Sequence, residues 1–451
     1  MQSVINGIVL LILLFWIFLI YFTQSEKMRT IKFPYKEETM YVMSPTLYFT
    51  IFTVCTAPFF LQPFTLLRYA IWLVAIMLLI INGKLKIKMH IVPITYIVLL
   101  LWILLTITYT TASYTELILS GYVKYCLPLF FFWLGYNAID TKYSLMLFMR
   151  FVIFSAVFYS FWIGGLSATF YPSVYFSPFG TGLFLTYAGL ADYFTSLFPI
   201  PILLFFITKR KIYLIFAILL ILSTILEAVR TGIGGIAIAS TLTLIGLYKQ
   251  RSVPIIFILF LLFAAVLTFV PSIKEKMFFE ENVKYEEVVS TEVLNKEDIR
   301  DNGRYEMWER ALNRLYKSKE LIGSGVGSVK EWLSQEHLKN NMALLLHNDY
   351  VLLMCETGLI GLTLYIIFII LFISTCFSSI FSRHQPFWPK IGAILAVSSF
   401  GGILFSMGYD NVFGHSLTSL VNPFLFFGFF LKLKEIYGDK TERTHSYISE
   451  S

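Results

Sequence analysis

The chain has 451 residues, of which 57% are hydrophobic and only 14% charged, and its mean hydropathy is +0.73. Soluble domains carry about 25% charged residues, so this composition excludes a soluble globular enzyme, and the high apolar content excludes a disordered protein. It predicts an all-α polytopic membrane protein.

Mostly apolar stretches of about 20 residues predict about 13 (12–14) transmembrane helices. Ten fall within residues 1–271 and three within 347–432. Residues 1–23 lack the basic start and the cleavage site of a signal peptide, so we expect a retained first helix; without it the count is 12. The predicted spans are 4–23, 47–62, 66–83, 91–111, 117–136, 144–165, 183–207, 212–229, 231–248, 254–271, 348–375, 391–411 and 416–431.

Lys and Arg residues are concentrated in every second connection between these spans. That side carries 19 of them, whereas the short loops of the other side carry only Arg68 and Arg230. Because positive charge stays in the cytoplasm, we expect a plasma-membrane protein with its N-terminus outside the cell and its tail, 433–451, in the cytoplasm. The net charge of +7 then reflects topology and lipid headgroup contact and predicts no nucleic-acid partner.

Residues 272–346 form a polar segment with 12 basic and 14 acidic residues. A connection of this length between two spans is usually functional. Within it, residues 304–316 place Met307, Trp308, Ala311, Leu312 and Leu315 on one helical face. A glycine-rich break at 323–327 precedes a second short amphipathic helix at 328–337. The segment is predicted to be one large extracytoplasmic helical loop, here called the cap.

Arg230 lies between two spans at the predicted outer boundary, one helical turn after Glu227. One interpretation is an interfacial arginine that pairs with Glu227 and reaches the lipid headgroups. The other is an anion site, because Arg230 begins the string RTGIGG at a helix start, where backbone N–H groups and the helix dipole favour a phosphate. The sequence leaves both interpretations open.

His347 lies where the cap meets the eleventh span, in the string LLLHNDYVLLMCETGLIGL. It is either a helix-entry residue, with Asn348 or Asp349 as the N-cap, or a general base or hydrogen-bond donor at the membrane boundary. Arg304, which begins the first cap helix, is on its own most simply a solvated charge.

Four further ionisable residues lie within or at the ends of spans, where such groups are functional or critical for packing. Each either lines a polar outer cavity or caps a helix. Glu356 follows His347 by nine residues, so a straight helix points the two side chains apart. The four are Asp192, Glu356, Asp410 and His415.

Motifs for other chemistries are incomplete. The string GSGVG at 323–327 lacks the Lys-Ser/Thr pair of a nucleotide phosphate loop. The scattered histidines predict no metal site, and the four cysteines, which lie in or at the ends of spans, predict packing and no disulfide framework. Any catalysis should therefore need neither a metal nor a cofactor.

Three motifs occur in a fixed order around the cap. They are Arg230 before TGIGG, then GRYEMWERAL with LIGSGVGS, and then HNDYVLLMCETGLIGL, in which His347 and Asn348 precede a Glu-x-Gly-Leu-x-Gly string that begins at Glu356. This arrangement resembles the O-antigen ligase and polymerase family of envelope polysaccharide assembly. The likeness covers about residues 215–375 and does not separate ligases from polymerases.

The resemblance implies a C-type glycosyltransferase-like membrane fold and a glycan donor on undecaprenyl pyrophosphate at the outer leaflet. Arg230 and Arg304 would hold the pyrophosphate, and His347 would activate the acceptor hydroxyl or orient the leaving group. Guanidinium groups suit a developing pyrophosphate charge. A flippase and a chain-length regulator would be partners. Supporting candidates are Asn348, Asp349, Glu356 and Asp410, and Asp192, Glu356 and Asp410 are spare candidates for the base.

Three functions are weighed on this basis. The first is a polymerase that joins repeat units of a surface polysaccharide on the lipid carrier, and the second is a ligase that moves a finished glycan to a lipid core, a protein or the wall. The third is a transporter without chemistry, which predicts paired charges near the midplane and repeats between the halves. Asp192 and Lys124 are the charges available for it, and no repeat is evident.

Reporter insertions test the predicted orientation. Alkaline phosphatase folds only outside the cytoplasm, so we expect it to be active when inserted after residue 300 and inactive when fused after residue 440. A green fluorescent protein fused after residue 440 should fluoresce. The reverse pattern at both positions would contradict the orientation.

Overall fold

The computed structural model describes residues 44–58, 85–160, 187–226, 229–258, 304–340 and 345–449, with short pieces at 30–31, 41–42, 74, 76–81, 83 and 261. Helices dominate these ranges. The strand pairing within them is two residues long, β1 (Thr30–Ile31) antiparallel to β2 (Tyr41–Val42). The helices are α1 (Pro45–Thr56), α2 (Ile91–Thr106), α3 (Thr115–Ala138), α4 (Lys142–Ser160), α5 (Tyr187–Leu197), α6 (Pro199–Thr208), α7 (Ile212–Leu226), α8 (Arg230–Tyr248), α9 (Arg304–Ala311), α10 (Ser328–Asn340), α11 (Asp349–Phe381), α12 (Phe387–Met407) and α13 (Val421–Ser449).

In the described ranges, seven helical stretches are long and apolar enough to cross a membrane. The all-α polytopic class is therefore confirmed. Helix α1 and the stretch Ile212–Ile225 are apolar but shorter. The span predicted at 4–23, and parts of those at 47–62, 66–83, 144–165, 183–207, 212–229 and 254–271, lie outside the described residues. The seven are Ile91–Tyr109, Thr115–Ala138, Lys142–Ser160, Gly189–Thr208, Arg230–Ile258, Asp349–Phe381 and Phe387–Met407.

Several of the predicted spans differ from the helices that form: for example, the span predicted at 416–431 begins at Val421, and the one predicted at 231–248 continues to Ile258. The span predicted at 183–207 is divided into α5 and α6, because Pro199 occupies the first turn of a new helix and lacks the N–H that a continuous helix needs. The span predicted at 348–375 continues to Phe381 and bends at Gly358, whose φ of 67° lies outside the helical region.

Helices α3 and α13 cross with their backbones in contact. A Cβ on Gly135 would overlap the carbonyl of Leu425, and one on Gly428 would overlap the carbonyl of Phe132. Glycine at both positions allows this close approach, as small residues do between membrane helices. Phenylalanine rings of α11, α12 and α13 fill the space beside the crossing; for example, the centroids of Phe372 and Phe400 lie 4.4 Å apart.

Helices α8 and α12 run antiparallel, because Gly235 lies against Gly402 while Gly246 lies against Ile394. The start of α8 therefore lies at the same end of the bundle as residues 408–420, which connect α12 to α13. The start of α11 and the cap helices meet this connection, so the predicted functional residues from four separate segments are brought to one end of the bundle.

The described part of the cap packs on the first turns of α11. Met307, Ala311 and Leu315 are buried against Val329 and Leu333 of α10, together with residues at the start of α11. Trp308 and Leu312 pack at the edge of this cluster. The apolar face predicted for 304–316 is confirmed, although its second half, Leu312–Tyr316, is a π-helical turn. Helix α10 corresponds to the second helix predicted at 328–337.

The crossing of α3 and α13 predicts the effect of one added methyl group. Gly428→Ala must displace the α3 backbone, and overpacking of this kind typically costs about 1–3 kcal/mol. We expect a melting temperature several degrees below that of the wild type, measured by size-exclusion chromatography of heated, detergent-solubilised protein. Gly438→Ala is the matched control, since its Cβ would only reach ordinary contact with Lys434; equal melting temperatures for both variants would contradict the account.

Candidate functional site

The N-cap of α11 determines how His347 is presented. The Oδ1 atom of Asn348 accepts the N–H groups of Tyr350 at 3.0 Å and Val351 at 3.1 Å, so the helix begins at Asp349. His347 directly precedes the N-cap residue Asn348 and has a φ of 54°. This left-handed conformation is uncommon for a residue other than glycine. Helix entry is thus performed by Asn348, and it makes no use of the His347 imidazole.

The imidazole of His347 contacts an acidic residue from a different part of the chain. Its Nδ1 atom lies 3.3 Å from Oδ1 of Asp410, and its backbone N–H donates to Oδ1 of Asn411 at 3.2 Å. Asp410 is nearly buried, while 27% of the His347 side chain is exposed. The contact fixes one edge of the ring against the protein and leaves the other edge available to a substrate.

The ionisation of Asp410 decides which ring nitrogen of His347 can act as a base. Burial alone would raise the pKa of the Asp410 carboxyl, but hydrogen bonds from His347 and the backbone N–H of Asn411 outweigh it, so its pKa lies below the ordinary value. A carboxylate at this position favours the tautomer with the proton on Nδ1. The Nε2 atom then carries the lone pair.

A second histidine, His415, lies close to the same carboxylate. Desolvation lowers its pKa by more than the carboxylate of Asp410 raises it, and the charge of Lys124 acts in the same direction as desolvation. His415 is therefore a half-buried neighbour whose neutral form is favoured. Its carbonyl accepts hydrogen bonds from Ser419 and Thr418, which stabilises the turn before α13.

Arg304 reaches the same connection from the cap. As the first residue of α9, it donates from Nη1 to the carbonyl oxygen of Tyr409 at 2.8 Å. Arg304 and His347 are therefore held by residues 409–411, which follow one another in the chain. The geometry brings a guanidinium and an imidazole to one corner of the bundle.

Arg230 lies at the same end of the bundle, at the start of α8, which packs against α12. It is the first residue of α8 and is partly exposed. One turn further, Gly234 faces the ring of Phe405, which packs against the ring of Tyr409 with centroids 5.5 Å apart. Glu227, the partner that one interpretation of Arg230 requires, lies outside the described residues.

Two buried acidic residues lie beneath Asp410. Asp349 accepts the backbone N–H of Phe413 at its Oδ2 atom, at 3.0 Å, and so fixes the connection between α12 and α13. Asp192, on α5, is fully buried, with the hydroxyl of Ser406 on α12 near its carboxylate. Both interact electrostatically with Asp410. The sequence separates the three, and helix packing brings them together.

Glu356 serves a different contact, at the bend of α11. The glycine-rich loop lies across this bend: the N–H of Ser324 donates to the carbonyl of Cys355 at 2.8 Å, and that of Gly325 to the carbonyl of Glu356 at 2.9 Å. The Glu356 side chain accepts the N–H of Gly327 at 2.9 Å. Glu356 thus attaches the cap to α11, and its contacts do not include His347.

Glycine is required where the loop and the helix meet. Gly323 and Gly358 both have positive φ values, of 72° and 67°, and a Cβ on either would collide with the other segment's backbone. Beyond the bend, the N–H of Leu359 donates to the carbonyl of Glu320 at 2.8 Å. We call the contact between 320–327 and 355–360 the clasp.

Sequence reasoning missed two residues of the site. Tyr409 holds Arg304 through its backbone carbonyl, and no side-chain pattern can signal such a role. Asn411 holds His347 through its side chain, and its position next to Asp410 was the one available signal. Among the described residues, no group of three or more His, Cys, Asp or Glu is arranged to hold a metal ion.

Residues 215–366 match the family model described as O-antigen ligase. No curated protein matches the chain. The match confirms the resemblance that the motifs predicted: this part of the chain is similar to O-antigen ligase family domains, and together with the apolar helices it suggests a multi-pass membrane protein of polysaccharide biosynthesis. Asp410 and Asn411 lie beyond the matched residues.

The clasp predicts that Glu356 positions the cap and does not act as a base. Glu356→Gln keeps an oxygen that can accept the Gly327 N–H, so we expect near-normal activity and normal protease resistance of the cap. Glu356→Ala removes the acceptor and leaves a buried N–H unpaired, at a cost of about 1–3 kcal/mol. Limited trypsin digestion should then cleave the cap faster. Loss of activity in Glu356→Gln with an intact, resistant cap would contradict this role.

Proposed function

We propose that the protein transfers a glycan from undecaprenyl pyrophosphate to a sugar hydroxyl at the outer face of the plasma membrane, as a polymerase of surface polysaccharide repeat units. The observation that carries the proposal is the joint anchoring of Arg304 and His347 by residues 409–411. It supports the proposal because a guanidinium and an imidazole are held by consecutive residues in a chain of which residues 215–366 match the O-antigen ligase family.

On the donor side, Arg304 and Arg230 bind the pyrophosphate. When the bond between the anomeric carbon and the phosphate oxygen breaks, the electron pair stays on the pyrophosphate, and guanidinium groups stabilise the charge that develops. Arginine suits this group because its planar fork can donate two hydrogen bonds to phosphate oxygens. The lipid pyrophosphate is itself the leaving group, so the proposal includes no metal and no cofactor.

On the acceptor side, His347 acts as the general base. Its Nε2 atom takes the proton of the acceptor hydroxyl while the oxygen forms a bond to the anomeric carbon, which inverts its configuration. Asp410 stabilises the imidazolium that results, as the acidic residue of a Ser-His-Asp triad does. The proton then passes to solvent or to the departing pyrophosphate.

A ligase is the second candidate, because the matching family is described as O-antigen ligase. The same chemistry would then transfer a finished glycan to a lipid core, a protein or the wall. In the polymerase, the acceptor is a repeat unit on a second lipid carrier. A flippase that supplies the donor and a chain-length regulator are the partners we propose for the polymerase.

The placement of Asp192 and Lys124 supports a transferase over a transporter. The transporter hypothesis needs paired charges near the membrane midplane. Asp192 interacts with Asp410, and Lys124 with Asp349 and His415, so both charges belong to the cluster at the cap end of the bundle. They are accounted for without a substrate path through the membrane.

Complementation of a host strain that lacks this protein tests the proposal. Wild type and the exposed control Arg314→Ala should restore long glycans, whereas Arg304→Ala and His347→Ala should leave single repeat units on the lipid. Arg304→Lys keeps the charge without the fork and should restore short chains. Glycan size is measured on gels, and membrane levels of each variant on blots.

Two other outcomes of this experiment are informative. Long, unattached glycans that accumulate on the lipid carrier in Arg304→Ala and His347→Ala would show a ligase instead of a polymerase. Normal glycans in both variants, at normal membrane levels, would contradict the roles proposed for these residues and favour a transporter.

The role of Asp410 is tested with an isosteric substitution. Asp410→Asn keeps the volume but removes the charge that favours the Nδ1–H tautomer, so we expect the transfer rate to fall by about 100-fold or more. Donor affinity should remain within about twofold, because the pyrophosphate contacts are separate. Glu320→Gln, an exposed carboxylate of the cap, is the control. A normal rate in Asp410→Asn would contradict the proposed base.

A further inference from the structure

Two exposed tyrosines adjoin Arg304, one in the sequence and one through a backbone hydrogen bond. Tyr305 follows Arg304 in α9 and is 57% exposed, and Tyr409, whose carbonyl oxygen binds Arg304, is 46% exposed. The rings come from two separate segments of the chain, and the hydrogen bond between Arg304 and Tyr409 joins those segments. Neither ring has a role in the transfer chemistry proposed above.

Both rings are supported from behind by another aromatic residue. Tyr305 packs edge-to-face on Trp308, with centroids 5.1 Å apart. Trp308 is fixed in turn by a hydrogen bond from its Nε1–H to the carbonyl of Leu346 at 2.7 Å. Tyr409 packs on Phe405. Binding of a ligand that stacks on these rings would therefore have a small entropic cost, because the rings are already ordered.

The surroundings of Tyr305 are polar. The exposed residues of α9 near it are Glu306, Glu309 and Arg310, and Glu306 forms an ion pair with Arg310. A surface that faces lipid tails would carry apolar side chains here. An aromatic ring among charged groups and water suits a ligand that has both an apolar face and hydroxyl groups.

We propose that Tyr305 and Tyr409 form a sugar-binding subsite beside Arg304, which takes the sugar adjoining the pyrophosphate of the donor. A pyranose ring presents C–H groups on one face, which pack on the face of an aromatic ring, while its hydroxyls remain hydrated or hydrogen-bonded. Both tyrosines adjoin Arg304, one as the next residue of α9 and one through its backbone carbonyl, and the first sugar of the donor is bonded directly to the phosphate. The assignment of the subsite to the first sugar of the donor rests on the proposed function, in which Arg304 binds the pyrophosphate.

Binding of two lipids to the purified full-length protein in nanodiscs tests the subsite. The first probe is undecaprenyl pyrophosphate, which has no sugar, and the second is the lipid-linked glycan extracted from a host strain that lacks this protein. Tyr305→Ala and Tyr409→Ala should each weaken binding of the glycan-linked lipid by about 3- to 10-fold, the usual range for an aromatic contact, and leave the affinity for undecaprenyl pyrophosphate unchanged.

Three further variants separate the alternatives. Tyr305→Phe keeps the ring and should bind both lipids normally. Tyr114→Ala removes an exposed tyrosine that lies at the same end of the bundle, beside Glu331, and should also bind both normally. Arg304→Ala should weaken binding of both lipids, because each carries the pyrophosphate.

An equal loss of affinity for the two lipids in Tyr305→Ala and Tyr409→Ala would overturn the subsite and indicate contact with the polyprenyl chain or anchoring in the membrane interface. Unchanged affinity for both lipids would overturn it as well. In either case, weakened binding in Arg304→Ala would leave the proposed function intact. Normal binding of both lipids to Arg304→Ala would contradict the pyrophosphate role itself.

Discussion

The candidate site depends on one short stretch of the chain, residues 409–411. Its carbonyl at Tyr409 holds the guanidinium of Arg304, the carboxylate of Asp410 contacts the imidazole of His347, and the amide of Asn411 accepts the N–H of His347. The stretch is itself held to the end of α12, because the N–H groups of Tyr409 and Asp410 donate to the carbonyl of Ser406. Groups fixed in this way need little reorganisation during a reaction.

The clasp explains why two glycine motifs far apart in the sequence belong together. The loop at 323–327 and the bend of α11 are the two halves of one contact, closed by backbone hydrogen bonds and by the Glu356 carboxylate. The clasp fixes the cap on α11. Helix α9, which is part of the cap, brings Arg304 to the carbonyl of residue 409. A loss of the clasp would therefore affect the arginine without any change in the arginine itself.

Much of the fold could be predicted from local sequence, because apolar runs and helical periodicity depend on nearby residues. The apolar face of α9 is an example. The divided span at Pro199 carried a visible signal in its prolines, but the bend at Gly358 did not, since a single glycine within a long apolar run is compatible with a straight helix. At the bend, the cap loop forms hydrogen bonds with backbone groups of α11. In a continuous helix these groups would bond within the helix itself.

The candidate site was predictable residue by residue but not as an arrangement. His347, Arg304, Arg230 and Asp410 were each singled out by type and position. The contact between His347 and Asp410, 63 residues apart, depends on the packing of α11 against α12, which no local pattern encodes. For the same reason the sequence left the N-cap of α11 open, and the structure assigns it to Asn348.

The central claim is that glycan transfer breaks the bond between the glycan and the lipid pyrophosphate, with His347 as the base. Its most direct test is a turnover assay with purified protein in nanodiscs and lipid-linked glycan as the sole substrate, in which released undecaprenyl pyrophosphate and new glycosidic bonds are both counted by mass spectrometry. The account predicts one undecaprenyl pyrophosphate per bond, without added nucleotide sugar, and loss of both products in His347→Ala. Normal release of both products by His347→Ala, or no release by active wild-type protein, would contradict it.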